Sequence, residues 1–93
     1  MAKRSPKDSQ QRPRLMKTVD RDRLKRQFGK HLRKTRLRKG FSPTQFETLS
    51  GIEPANLRKY ESGDRMPSVP TIEIMAKALG VKRWELMMHE FDW

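Results

Sequence analysis

Three side chains close together in this sequence, Asn56, Arg58 and Lys59, have the chemistry to read a flat hydrogen-bonding edge. A carboxamide donates and accepts at once, as an adenine edge requires, and a guanidinium donates to the paired acceptors of guanine or to a phosphate. Glu53, just before them, is a carboxylate that accepts hydrogen bonds and would repel a nearby phosphate. Other chemistry has little support. His31 lies among Arg and Lys and His89 lies near the C-terminus, so both are expected at the surface; without cysteine or a spaced carboxylate cluster there is no metal-ligand set. Ser42 and Ser50 have no His and Asp at an interpretable spacing, which makes them helix caps rather than nucleophiles. Glycine-rich phosphate loops are absent, and Met75, Met87 and Met88 read as packing material. No cofactor, small-molecule ligand or enzymatic activity is expected.

Such side chains need a rigid carrier. Ser42 is a good N-cap and Pro43 suits a first helical position, which predicts a helix over 43–50 with Phe46 and Leu49 on one face. Gly51 supplies the conformation to leave it, and Ile52 points back to the core. Pro54 then opens a second helix over 54–62, with Leu57 and Tyr60 inward, Asn56, Arg58 and Lys59 outward, and Gly63 as its stop. Before this pair, Asp20 or Asp22 caps a long helix over 21–39; Leu24, Phe28 and Leu32 recur every four residues and Leu37 closes the stripe, with cations elsewhere. After it, Gly63, Pro67 and Pro70 break the chain. A helix over 70–79 then carries Ile72, Met75, Ala76 and Leu79 and ends at Gly80, followed by a short one over 83–90. No strand pattern or repeat is visible. The expected fold is all-α, a compact five-helix domain over 20–93.

The chain has 93 residues, enough for one small domain with a thin core and little room for a deep enzyme cleft. Its net charge of +11 is unevenly placed: residues 1–40 hold sixteen Lys and Arg against three acids, whereas 41–93 hold six against eight. The positive field belongs to the first part, and such a block attracts phosphate through counterion release. Residues 1–19 have almost nothing to bury and are expected to form a disordered basic arm, with Lys3, Arg4, Lys7, Arg12, Arg14 and Lys17 as mobile cations. The N-terminus has no apolar stretch of secretory type, no run approaches the ~20 apolar residues of a membrane span, and cysteine is absent; a cytoplasmic protein without membrane contact is expected.

By spacing and residue type, FSPTQFETLSGIEPANLRKYESG resembles the lambda-repressor-like, XRE-type (Cro-type) helix-turn-helix family, and the likeness runs over roughly 27 to 87 through Arg36, Gly40, Gly51, Glu61, Gly63, Pro67 and the AKALGV run. The resemblance implies a compact five-helix lambda-repressor-like domain, a nucleoid-associated protein of bacterial, phage or plasmid origin, and double-stranded DNA as partner. It places the second motif helix in the major groove and turns Glu53, Pro54, Ala55, Asn56, Arg58 and Lys59 toward bases. Ser42, Thr44, Arg38, Lys39 and Arg65 become phosphate contacts, with the arm and first helix on backbone or minor groove. It pairs Arg36 with Glu61 as a structural ion pair. Pro43 stands where the family often has Gln, and Glu47 where it favours Ala at the close approach of the two motif helices. A carboxylate there must escape sideways or find a cation.

The function so implied is a sequence-specific, repressor-like transcriptional regulator. A reading from another class is an antitoxin-like or ribosome-associated adaptor, whose scaffold binds a protein partner while the tail touches RNA. Trp84, Met87, Met88, Phe91 and Trp93 are more apolar surface than a short last helix needs for its own packing, and they point to a homodimer interface.

Overall fold

The computed structural model describes residues 20–88, which form five helices: α1 Arg21–Arg38, α2 Pro43–Ser50, α3 Pro54–Ser62, α4 Val69–Leu79 and α5 Arg83–Met88. The arm and the residues after Met88 lie outside the described part, as does the expected extension of α5 to residue 90.

Local chemistry sets the helix ends. The Asp20 side chain accepts from Arg23 N at 2.9 Å, and α1 stops at Lys39, where Gly40 turns left-handed and Phe41 N donates to Arg36 O at 3.1 Å. Ser42 and Gln45 make a reciprocal capping box at 3.1 and 2.8 Å, so α2 starts with two of its donors satisfied. Gly51 at φ 79° closes it. Helix α4 begins one residue before Pro70, because Ser68 is its N-cap and shares a 2.9 Å hydrogen bond with Thr71 Oγ1.

Phe28 and Leu32 of α1, Phe46 of α2, Leu57 of α3, Ile72, Met75, Ala76 and Leu79 of α4, and Leu86 of α5 form one buried cluster. Burying a large apolar side chain of this kind contributes ~1.5–3 kcal/mol, so a domain this small depends on each. Helix α1 lies between α3 and α5, and α4 packs on α2 and α5. The α1–α3 contact is close enough to need glycine: a Cβ on Gly29 would sit 2.5 Å from the carbonyl oxygens of Tyr60 and Glu61.

The apolar stripe of α1 differs from the sequence expectation at its end. Leu37 is 54% exposed, because it lies five residues and thus about 140° around the helix from Leu32. Thr35 and Arg36 are buried in its place. His31 is also buried, not at the surface: α5 covers that side of α1, and His31 Nε2 donates to Glu85 O at 3.0 Å. A carbonyl only accepts, so this nitrogen carries the proton. In α2, Phe46 is buried but Leu49 is 54% exposed, beside Phe41, Gln45 and Thr48 on an open surface that no other helix covers among the described residues.

Candidate nucleic-acid interface

Helix α3 is held from behind and open in front. Leu57 is buried, Tyr60 is half-buried against the core, and Glu61 is clamped by Arg36: Nε donates to Oε2 at 2.7 Å and Nη2 to Oε1 at 3.1 Å. On the opposite side Glu53, Ala55, Arg58 and Lys59 are exposed, while Pro54 and Asn56 are half-buried. Ala55, Arg58 and Lys59 fall at helical spacing on one side, with the two cations one turn beyond a small side chain that leaves space for close approach. Asn56 sits at the edge of that row.

The N-terminus of α3 has no side-chain cap, since Glu53 caps it through backbone only and Leu57 N donates to Glu53 O at 2.9 Å. Donors of that first turn point outward, where the helix dipole favours an anion. The start of α2 lies nearby. Pro43 and Pro54 line one small groove of about 110 Å³ with Arg33, Arg36, Leu57, Arg58 and Glu61, so the first turns of α2 and α3 meet there, while the Arg36 guanidinium is taken up by Glu61 and the Phe41 carbonyl.

The phosphate candidates divide by position. Ser42 and Thr44 are exposed in the cap and first turn of α2, although Ser42 Oγ already accepts from Gln45 N. Arg65 is exposed in the loop that follows α3, where its N donates to Lys59 O at 3.3 Å. Lys39 is exposed at the C-cap of α1. Arg38 is set apart, for it lines a pocket with His31, Thr35, Val81, Glu85 and Leu86 on the α5 side of α1. The structure does not bring it to the α3 row. Glu47 is half-buried with no ion-pair partner among the described residues, and its oxygens are not among the buried unsatisfied atoms.

A family model described as a helix-turn-helix domain matches residues 27–86. The chain belongs to that helix-turn-helix family. Among solved structures it is similar to the restriction-modification controller protein C.AhdI from Aeromonas hydrophila, at 32% identity and a TM-score of 0.70, covering 73% of this chain and 99% of that one. Comparison with curated proteins gave no match.

The α4–α5 end of this helix-turn-helix domain displays two large apolar side chains among exposed cations, Lys77, Lys82 and Arg83. Trp84 is 60% exposed and Ile74 46%, and the two helices are tied there by Arg83 Nη1 to Glu73 Oε1 at 3.6 Å. Met87 is half-buried against the core, so of the five interface candidates Trp84 is the one displayed; the side chain of Met88, and Phe91 and Trp93, lie outside the described residues. The six arm cations also lie outside them. Sequence reasoning missed Gly29 and His31 as structural residues. The signal for Gly29 was there, a glycine inside a helix that costs ~1 kcal/mol relative to Ala and therefore calls for a packing reason. No helix among the described residues is long and apolar enough to cross a membrane, and no group of His, Cys, Asp or Glu among them could hold a metal ion.

Proposed function

We propose that this protein is a cytoplasmic, sequence-specific DNA-binding transcriptional regulator of repressor-like type, which docks α3 in the major groove. The observation that carries the reading is the exposed row of Ala55, Arg58 and Lys59 on a helix braced by the Arg36–Glu61 pair, with the N-termini of α2 and α3 converging beside it. Lys59 and Asn56 supply base contacts, Arg58 a base or phosphate contact, and Glu53 an acceptor for a cytosine amino group. Ser42, Thr44, Lys39 and Arg65 hold phosphates on either side, and the arm of residues 1–19 adds mobile charge. The likeness to a controller protein supports regulation over an adaptor role.

The exposed Trp84 and Ile74 support a homodimer through the α4–α5 end, whose two α3 helices would face half-sites about one DNA turn, roughly 34 Å, apart. The adaptor reading has one observation in its favour, the exposed Leu49 beside Phe41. Selection of bound fragments from random duplexes at about 150 mM salt separates the two readings, because electrostatic attachment is already weakened there. A discrete enriched motif supports the regulator. Binding that is salt-dependent and indifferent to sequence favours the adaptor.

A further inference from the structure

Gln27, Lys30, Lys34 and Leu37 follow one another on α1 at spacings of three, four and three residues, and so form one stripe. With His31 and Arg33 they line a groove of about 540 Å³. Lys30, Lys34 and Leu37 are exposed. A lysine stem is apolar up to its ammonium head, so Leu37 and the two stems make a narrow apolar strip edged by positive charge. That is the chemistry to receive a short peptide in which aromatic rings alternate with carboxylates. Helix α5 lies against the adjoining side of α1, where His31 Nε2 donates to Glu85 O at 3.0 Å. Met88, the last described residue, is thus within one helical turn of a residue that touches the groove wall. The sequence continues as His89, Glu90, Phe91, Asp92 and Trp93, with two aromatic residues interleaved with two acids and neither Lys nor Arg. Five residues reach at most ~17 Å, and the stripe from Gln27 to Leu37 is about 15 Å long at 1.5 Å per residue.

We propose that this groove is the docking site of the chain's own segment 89–93, with Phe91 and Trp93 on the strip of Leu37 and the lysine stems and with Glu90 and Asp92 at the ammonium heads. Rings beside ammonium groups also gain from cation–π attraction. A segment tethered so closely meets the groove at an effective concentration of roughly millimolar, so a weak contact fills it ahead of a separate protein. Docking straps α5 to α1 from outside the core. It also turns Phe91 and Trp93 away from a second copy, which leaves Trp84 and Ile74 as the apolar side chains offered at the α4–α5 end. The proposal stands independently of DNA binding.

The test reads fluorine resonances from the full chain carrying fluorotryptophan, with the Trp84 and Trp93 signals assigned by Trp84→Phe. The Trp93 signal is expected to be displaced from its position in the detached peptide of residues 89–93, to show a smaller solvent isotope shift, and to hold that position on dilution. Leu37→Ser, an exposed substitution that spares the core, should move it toward the peptide position while Trp84 stays. Glu90→Lys with Asp92→Lys should do the same. Adding Lys30→Glu and Lys34→Glu to that second variant should bring the signal back, which packing without charge pairing would not do. A parent whose Trp93 already sits at the peptide position overturns the proposal and leaves the groove to another occupant. Displacement that disappears on dilution overturns it as well, since a second copy would then cover the ring. If Leu37→Ser leaves the signal in place, or the exchanged charges fail to restore it, the segment docks elsewhere and the groove is not its site.

Discussion

Arg36 and Glu61 form a two-pronged ion pair at 2.7 and 3.1 Å with side chains only 4% and 8% exposed, and Arg36 Nη1 also donates to Phe41 O at 2.7 Å. One guanidinium thus ties α1, the α1–α2 connection and the last turn of α3 together. Arg33 adds a looser contact to the same carboxylate at 4.0 Å. The α3 row is presented at a fixed angle because its far end is bolted to α1.

Removing the carboxylate leaves a buried guanidinium with only the Phe41 carbonyl. Glu61→Ala should cost about 3 kcal/mol or more. In a domain of this size that lowers the melting temperature by roughly 12 °C or more. Calorimetry or thermal circular dichroism reads it directly, and an unchanged transition would show that the pair contributes nothing net.

Gly29→Ala tests the close approach of α1 and α3. A helical alanine gains about 1 kcal/mol over glycine, but here its methyl meets two backbone carbonyls and must push the helices apart, so a net loss of roughly 1–2 kcal/mol is expected. A more stable variant would mean that the helices separate without cost.

The punctuation of this fold is legible in the chain, since Ser42, Pro43, Gly51, Pro54, Gly63 and Gly80 act through backbone geometry and local hydrogen bonds that need no distant partner. What covers each helix face is less so. The cationic neighbours of His31 suggest a surface residue, yet α5 lies over it; the spacing of Leu37 and Leu49 suggests inward side chains, yet nothing among the described residues covers them. Periodicity on one helix tells which residues share a face and not which second helix arrives there. Of the interface residues, Arg58 and Lys59 follow from the outward side of α3, whereas the separation of Arg38 from that side depends on where α5 packs.

Trp84 offers a test of association that leaves the monomer intact, because it is 60% exposed. Trp84→Ala should raise the dimer dissociation constant by about thirtyfold, the effect of losing a central Trp worth ~2 kcal/mol, with little change in monomer folding. Sedimentation equilibrium across a dilution series would show it. An association constant equal to that of the parent would remove Trp84 from the interface.

Deletion of residues 1–19 should leave the unfolding transition of the remaining domain nearly unchanged, as the buried cluster lies wholly within 28–86. It should weaken DNA binding on all sequences and flatten the dependence of log affinity on log salt by about 0.9 for each phosphate the arm had neutralised. The same slope in the truncated protein would show that the arm never touches the backbone.

Whether α3 reads bases is decided most directly by the affinity of the parent, Lys59→Ala and Asn56→Ala for a selected site and each of its single-base variants. Each substitution is expected to erase about 1–3 kcal/mol of discrimination at particular base pairs while preferences elsewhere in the site persist. A loss of affinity equal on every sequence would make these side chains anchors on phosphate and contradict the groove-reading role of α3.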